Sequence, residues 1–262
     1  MEIVDKGEIK QIDNFKKEKG YDIEVKRINI EEDAIIEKVI DDINTGGIAG
    51  IIVNTVKRAQ KLAQLVPDDI PSIVLHSSFL APERVRLEKE LQKKIGKNGE
   101  RPEKLVVIGT QVLEQSLDID FDILYSDIAP IDLLLQRAGR LHRHKINNKY
   151  RPDKLIIPQL IVMENIDGDS NEYIYSKYIL MKTDYFLSDR INIPNDISPL
   201  VQKVYSLETD KLVKSSSQKK SSSNKSSSSS SQSSSSSSEV ATILLLKTLS
   251  LAVVLVLSRL LN

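Results

Sequence analysis

Cysteine does not occur anywhere in the 262 residues. Its absence excludes disulfides, thiolate metal sites and cysteine nucleophiles, and it fits a cytoplasmic location. Net charge is missing as well. The 37 lysines and arginines are matched by 37 aspartates and glutamates, so affinity for a polyanion must come from a local patch. The first ten residues alternate in charge and have no apolar core, which excludes a secretory signal. A chain of this length holds one large domain or two small ones.

What is present starts with Gln136-Arg137-Ala138-Gly139-Arg140-Leu141-His142-Arg143-His144, where arginine recurs at every third position. Pro130 to Leu135 read as a short helix before it, since proline suits a first turn and the apolar run suits a buried face. Gly139 is expected to stop that helix through a left-handed backbone. The arginines would then project from a rigid mount, as suits two-pronged binding of phosphate oxygens. The plainer alternative is a basic helix end that complements the helix dipole.

Along the chain, Tyr21 to Ile30 alternates enough for one strand, and Glu31 to Ile43 has a helical apolar face ended by Gly46-Gly47. Ile48 to Val53 reads as a strand buried on both faces, and Val56 to Val66 as a helix. Ser72 to Leu75 (strand), Pro82 to Ile95 (helix), Leu105 to Ile108 (strand) and Phe121 to Ile128 (strand) continue the alternation. The arginine-bearing helix follows, and then Leu155 to Met163, with Pro158 placing that strand at an edge. This order predicts a parallel sheet with helices on both faces. Ligands in such folds sit beyond the carboxyl ends of the strands. Asn54-Thr55, His76-Ser77-Ser78, Gly109-Thr110 and the arginine cluster are all expected at that one edge.

Glu172 to Ser188 reads as a tyrosine-rich helix, and Ile193 to Tyr205 is expected to pack against the domain. Their aromatics suit core or docking surface better than base stacking. From Ser215 to Ser238 the chain is nearly all serine, from which no core can form. Val240 to Leu261 is long and apolar enough to cross a bilayer but is interrupted by Lys247, at a cost of about 2.5–3.5 kcal/mol if central. A tail anchor, a helix docking on a partner, and read-through of a shifted frame after a broken gene are the three readings. The last is preferred. The expected organisation is a lead-in at 1–27, a lobe at 28–165, a helical extension at 166–212, a linker at 213–239 and the apolar segment at 240–262.

Asp118, Asp120 and Asp122 alternate ahead of the arginines and raise the question of a metal site. Aspartates beside arginines more often make ion pairs, and no histidine shares their spacing, so no metal is assigned. The combination of GTQVLEQSLDID with QRAGRLHRH carries more information than either half. Together they resemble motifs V and VI on the second RecA-like lobe of superfamily-two helicases. With IIVNTVKRAQ, LHSSF, IAPIDLLLQRAGRLHRH and IPNDISPLVQKVY, they are closer still to the CRISPR-associated helicase–nuclease of type I interference. The resemblance spans about residues 28–205.

That resemblance implies an ATP-driven single-strand DNA translocase in antiviral defence, recruited by a CRISPR surveillance complex. Arg140 and Arg143 would match arginine fingers at the ATP γ-phosphate. Gln136 would line the nucleotide, Arg137 would bridge towards the other lobe, and Asp118 would lie near the ribose. Thr110, Gln111, Asn54, Thr55, His76 and Ser77 would match contacts to the nucleic-acid backbone, which are independent of base sequence. The phosphate loop G-x-x-x-x-G-K-[ST] is absent, as is an aspartate–glutamate pair for magnesium. The histidine–aspartate nuclease is missing too, since the histidines are His76, His142 and His144 and no His-Asp dipeptide occurs. A role in shaping the arginine loop suits His142 and His144 better than metal ligation. ATP and Mg2+ are therefore expected only when a first helicase lobe, supplied in trans, completes the site. The chain is expected to be a truncated or split-gene lobe, or a binding remnant without turnover, with a membrane tether through 240–261 as a further reading.

Overall fold

The computed structural model describes residues 19–114, 117–164 and 174–209, and the backbone of two short strands that pair antiparallel, β1 (Glu2–Asp5) and β2 (Glu8–Gln11). The lobe begins with β3 (Tyr21–Ile28) and α1 (Glu32–Asp42). Next come β4 (Gly47–Ile52), α2 (Val56–Leu65), β5 (Ser72–Leu75) and α3 (Ala81–Ile95). β6 (Lys104–Gly109), β7 (Ile123–Asp127), α4 (Ile131–Ala138) and β8 (Gln159–Met163) follow. The extension holds α5 (Lys177–Phe186), β9 (Arg190–Ile193) and α6 (Ile197–Tyr205).

Seven strands form one sheet in the order β5-β6-β4-β7-β8-β3-β9, parallel throughout except for β9, which runs antiparallel to β3. Alternation along β4 shows how the layers form. Ile48 and Ile52 enter a core shared with α3, α4, α5 and α6, while Ala49 and Ile51 enter a second core with α1 and α2. Both faces are covered, which is why β4 is apolar along its whole length. Gly50 lies on the first face, where an added Cβ would come within 2.8 Å of Leu124 and 2.9 Å of Phe121. Gly46 and Gly47 turn out of α1 at φ 113 and 121, which side chains resist.

Two expectations need correction. Pro158 does not mark an edge: it precedes β8, which lies inside the sheet between β7 and β3. A proline just ahead of the first strand residue costs the ladder no donor there. Gly139 is not left-handed, since it sits at φ −64 and ψ −2; the positive φ falls three residues later, at His142 (φ 48). The parallel sheet with helices on both faces is as expected, and β9 adds one antiparallel edge strand to it. β3, upstream of the boundary expected at residue 28, is an inner strand.

The extension is fastened to the arginine-bearing helix. Leu200, Val201 and Val204 of α6 join the α4 core, and the Tyr205 hydroxyl donates to Asp132 Oδ1 at 2.6 Å. Among the described residues no helix is long and apolar enough to cross a membrane. The serine run, the apolar segment at 240–262 and the expected helix start at Glu172 lie outside the described residues.

Candidate nucleotide and nucleic-acid site

The carboxyl ends of the central strands align in register: Ile52 is opposite Gly109 and Ser126, and Leu75 is opposite Gly109. Asn54, Thr55, His76, Thr110 and Gln111 therefore gather along one edge, as the strand order requires. From Thr110 the chain does not turn straight into β7. It crosses the face of the lobe, burying Leu113, Leu117, Ile119 and Phe121, and starts β7 from the opposite end. α4 then descends beside it over about 12 Å. Leu141 thus lies beside Phe121, ahead of β7, and Asp122 N bonds to Ile48 O near the start of β4.

This crossing divides the arginine cluster, which was expected whole at the carboxyl edge. Arg137 points back to that edge, whereas Arg140 and Arg143 lie beside residues 114–122. Arg137 is fully buried, and its guanidinium donates to Glu114 Oε1 (2.7 Å), Ser126 Oγ (2.8 Å), Asp127 O (3.0 Å) and Asn54 Oδ1 (3.1 Å). It faces into the lobe rather than outwards, because a buried guanidinium must have its donors met. Asn54, also buried, donates to Ile128 O and through its backbone to Asp127 Oδ2. Thr55 caps α2 by accepting from Arg58 N at 3.1 Å. Both residues are thus committed to the fold at the positions where strand contacts were expected.

Arg140 is 6% exposed and donates to Leu117 O (2.6 Å) and Glu114 O (2.7 Å). Burial lowers its pKa to about 10, still charged at neutral pH. Arg143 is more open and donates to Asp118 Oδ1 at 2.8 Å, with His144 Nε2 3.0 Å from the same oxygen. Burial opposes ionisation of Asp118, but the Arg143 hydrogen bond and the charges around it prevail and lower its pKa. Glu114 joins the two clusters, its carboxylate on Arg137 and its carbonyl on Arg140. Sequence reasoning missed this residue. Gln136 is half-buried beside them on α4.

Asp120 and Asp122 make ion pairs. Arg151 donates to both carboxylates and Arg101 to both, while Asn147 and the Arg143 amide also bind Asp120. With their oxygens occupied, these aspartates do not fit a magnesium ion, and among the described residues no other group of three or more acids and histidines gathers for one. The arginines do suit a triphosphate, provided the carbonyls of 114 and 117 and the Asp118 carboxylate yield them.

His76 is buried, stacked on Phe79 with ring centroids 4.4 Å apart, while Ser77 is exposed at the same strand end. Thr110 is buried, its backbone N on Leu75 O. Gln111 is half-buried and reaches both Asn54 and Tyr175.

His142 holds the arginine loop from below, its Nε2 3.2 Å from Asp122 O. Burial, reinforced by the Arg151 charge, lowers its pKa from 6.5 to about 4. The unfolded chain therefore binds the proton first as pH falls. Stability should drop between about pH 6.5 and pH 4, by on the order of 2–3 kcal/mol from this group. Asparagine accepts the left-handed backbone, so His142→Asn should flatten that part of the urea-unfolding profile. An unchanged profile in the variant would show that His142 is not the titrating group.

A parallel-dominated sheet covered on both faces, with an arginine-bearing helix after its central strand, defines the second RecA-like lobe of a helicase. Residues 45–146 match the family described as CRISPR-associated nuclease/helicase Cas3, C-terminal. The chain is 48% identical over 207 residues to the CRISPR-associated nuclease/helicase Cas3 of Streptococcus thermophilus, covering 76% of this chain and 22% of that protein. The solved structure of T. fusca Cas3-ATP matches 79% of this chain and 26% of its own, at 27% identity and a TM-score of 0.67. A chain of a CRISPR RNA-guided surveillance complex, pre-nicking, matches 76% of this chain and 27% of its own, at 27% identity and a TM-score of 0.59. The chain belongs to the CRISPR-associated nuclease/helicase Cas3 family and corresponds to its C-terminal helicase lobe. It spans about one fifth of the length of that Streptococcus relative.

Proposed function

We propose that this chain serves as the second lobe of an ATP-driven single-strand DNA translocase in CRISPR defence. Arg140 and Arg143 meet the γ-phosphate of an ATP held by a first lobe, in cis or in trans. That lobe brings the phosphate loop and the magnesium-binding acids, and bound ATP supplies the phosphoryl group. This lobe's part is electrostatic, placing two forked cations where charge builds up. Asp118 holds Arg143 until the nucleotide arrives and then faces the ribose, with Gln136 beside it. Thr110, Gln111 and Ser77 form the strand-side edge. The likeness to T. fusca Cas3-ATP supports nucleotide use, and the likeness to the surveillance-complex chain supports recruitment by such a complex. The observation that carries the reading is the placing of Arg140 and Arg143 on one loop, with Arg140 donating to the carbonyls of Leu117 and Glu114 and Arg143 to the Asp118 carboxylate.

A second reading, a nucleic-acid-binding lobe without turnover, is favoured by the inward turn of Arg140. Under either reading the chain alone should show no ATPase above background, with or without single-stranded DNA. It should bind single-stranded DNA weakly, with shallow salt dependence and no base preference, because half a track offers few phosphate contacts. Anisotropy titrations at several salt concentrations test this. Strong preference for one base sequence would contradict it, as would ATPase that survives repurification and disappears in Arg140→Ala.

A further inference from the structure

The carboxamide of Gln111 is already engaged by the lobe. Its Nε2 donates to Asn54 O and to the Tyr175 hydroxyl, each at 3.2 Å. An amide nitrogen carries two hydrogens, so both are used inside the protein. Asn54 O can only accept, which fixes the nitrogen end of the carboxamide inward. The end left over is Oε1, an acceptor, and an acceptor has the wrong polarity for a phosphodiester oxygen. The Tyr175 hydroxyl has the opposite balance. Because it accepts from Gln111, its own proton remains free to donate.

Tyr175 stands where α5 begins, and its half-buried ring rests on the core. Burial raises its pKa, so the hydroxyl keeps its proton at neutral pH. Two carboxylates influence it, Glu114 and Asp132. The first is paired with Arg137 and the second accepts from Tyr205, so each has a partner other than Tyr175.

We propose that the Tyr175 hydroxyl, not the Gln111 carboxamide, is the group that donates to a single-strand phosphate at this edge, and that Gln111 is its positioning residue. The proposal rests on reading the carboxyl edge as the strand track, and it adds the extension beyond β8 to that track. A neutral hydroxyl contact strengthens binding without displacing a counterion, so it leaves a recognisable mark in the salt dependence.

The test uses the full chain and a fluorescein-labelled oligothymidylate, read by anisotropy at low and rising salt. Tyr175→Phe keeps the ring and removes only the hydroxyl. It should bind about tenfold more weakly, the loss expected for one hydrogen bond to a charged group. The slope of log affinity against log salt should not change. Gln111→Ala should weaken binding in the same direction, and the double variant should bind no worse than Tyr175→Phe, because both act through one O–H. Native affinity in Tyr175→Phe overturns the proposal, including the case in which only Tyr175→Ala binds weakly, which would assign the ring to stacking. Additive losses in the double variant also overturn it, since Gln111 would then touch the strand itself. If the unsubstituted chain binds no oligothymidylate, the strand-track reading fails first.

Discussion

Arg137→Ala is expected to lower the stability of the lobe by about 3–5 kcal/mol, the cost of breaking a buried ion pair from one side. The side chain is fully buried, and its guanidinium ties α4 to Glu114, Ser126, the Asp127 carbonyl and Asn54. Without it the Glu114 carboxylate loses its ion-pair partner in the core and keeps the weaker influence of the Arg140 charge. Burial already raises the pKa of Glu114 even with Arg137 present. In the variant the carboxyl should take up a proton at still higher pH, so the loss of stability should shrink as pH falls. Arg137→Lys should recover little, because an ammonium cannot reach partners spread around a planar fork. Replacing the pair together, Arg137→Met with Glu114→Leu, should recover part of the loss by removing both charges. Urea unfolding of the three variants beside the native chain measures this. A loss below about 1 kcal/mol in Arg137→Ala, within the ordinary range for single substitutions, would show that the network is not what secures α4.

The parallel core was legible in the sequence because its central strands are short, mostly apolar and bounded by polar stops. Ile48 to Val53 could hardly be anything but a strand covered on both faces. The motif pair was legible because arginine at every third position after an apolar helix has few uses. Which way each arginine points was not legible. A repeat of three gives similar sequence surroundings to Arg137, Arg140 and Arg143, yet the first is fully buried and the third sits near the surface. That difference is set by the 110–122 crossing, which brings Glu114 beneath α4. No local pattern announces such a crossing. The partners of Asp120 and Asp122 were hidden for the same reason, since Arg101 and Arg151 come from segments on either side of the motif pair. β9 escaped notice because its alternation, RINI, runs for only four residues, too few to read as a strand. Pro158 misled because its position relative to the first ladder residue decides its meaning, and strand boundaries are the least certain part of a sequence reading.

Mixing this chain with a first helicase lobe that carries the phosphate loop and magnesium-binding acids should produce ATPase stimulated by single-stranded DNA. Activity should rise steeply with lobe concentration, since no linker raises the effective concentration of one lobe for the other. Arg140→Ala and Arg143→Ala should each lower the rate on the order of 10³-fold, the scale of a lost arginine finger. Arg→Lys at either position should fail as well, because lysine keeps the charge and loses the fork. Before it can act, Arg140 must release Leu117 O and Glu114 O, and Arg143 must release Asp118. Asp118→Ala removes a competitor for Arg143 along with the proposed ribose contact, so its effect should be mild and fall mainly on nucleotide affinity. The most direct measurement is the DNA-stimulated ATPase of the mixed lobes, with native Arg140 and Arg143 and with each changed to alanine. The account predicts activity in the native mixture and its near-complete loss in both variants. Reconstituted activity indifferent to both substitutions would contradict it and leave the arginines as parts of the fold alone.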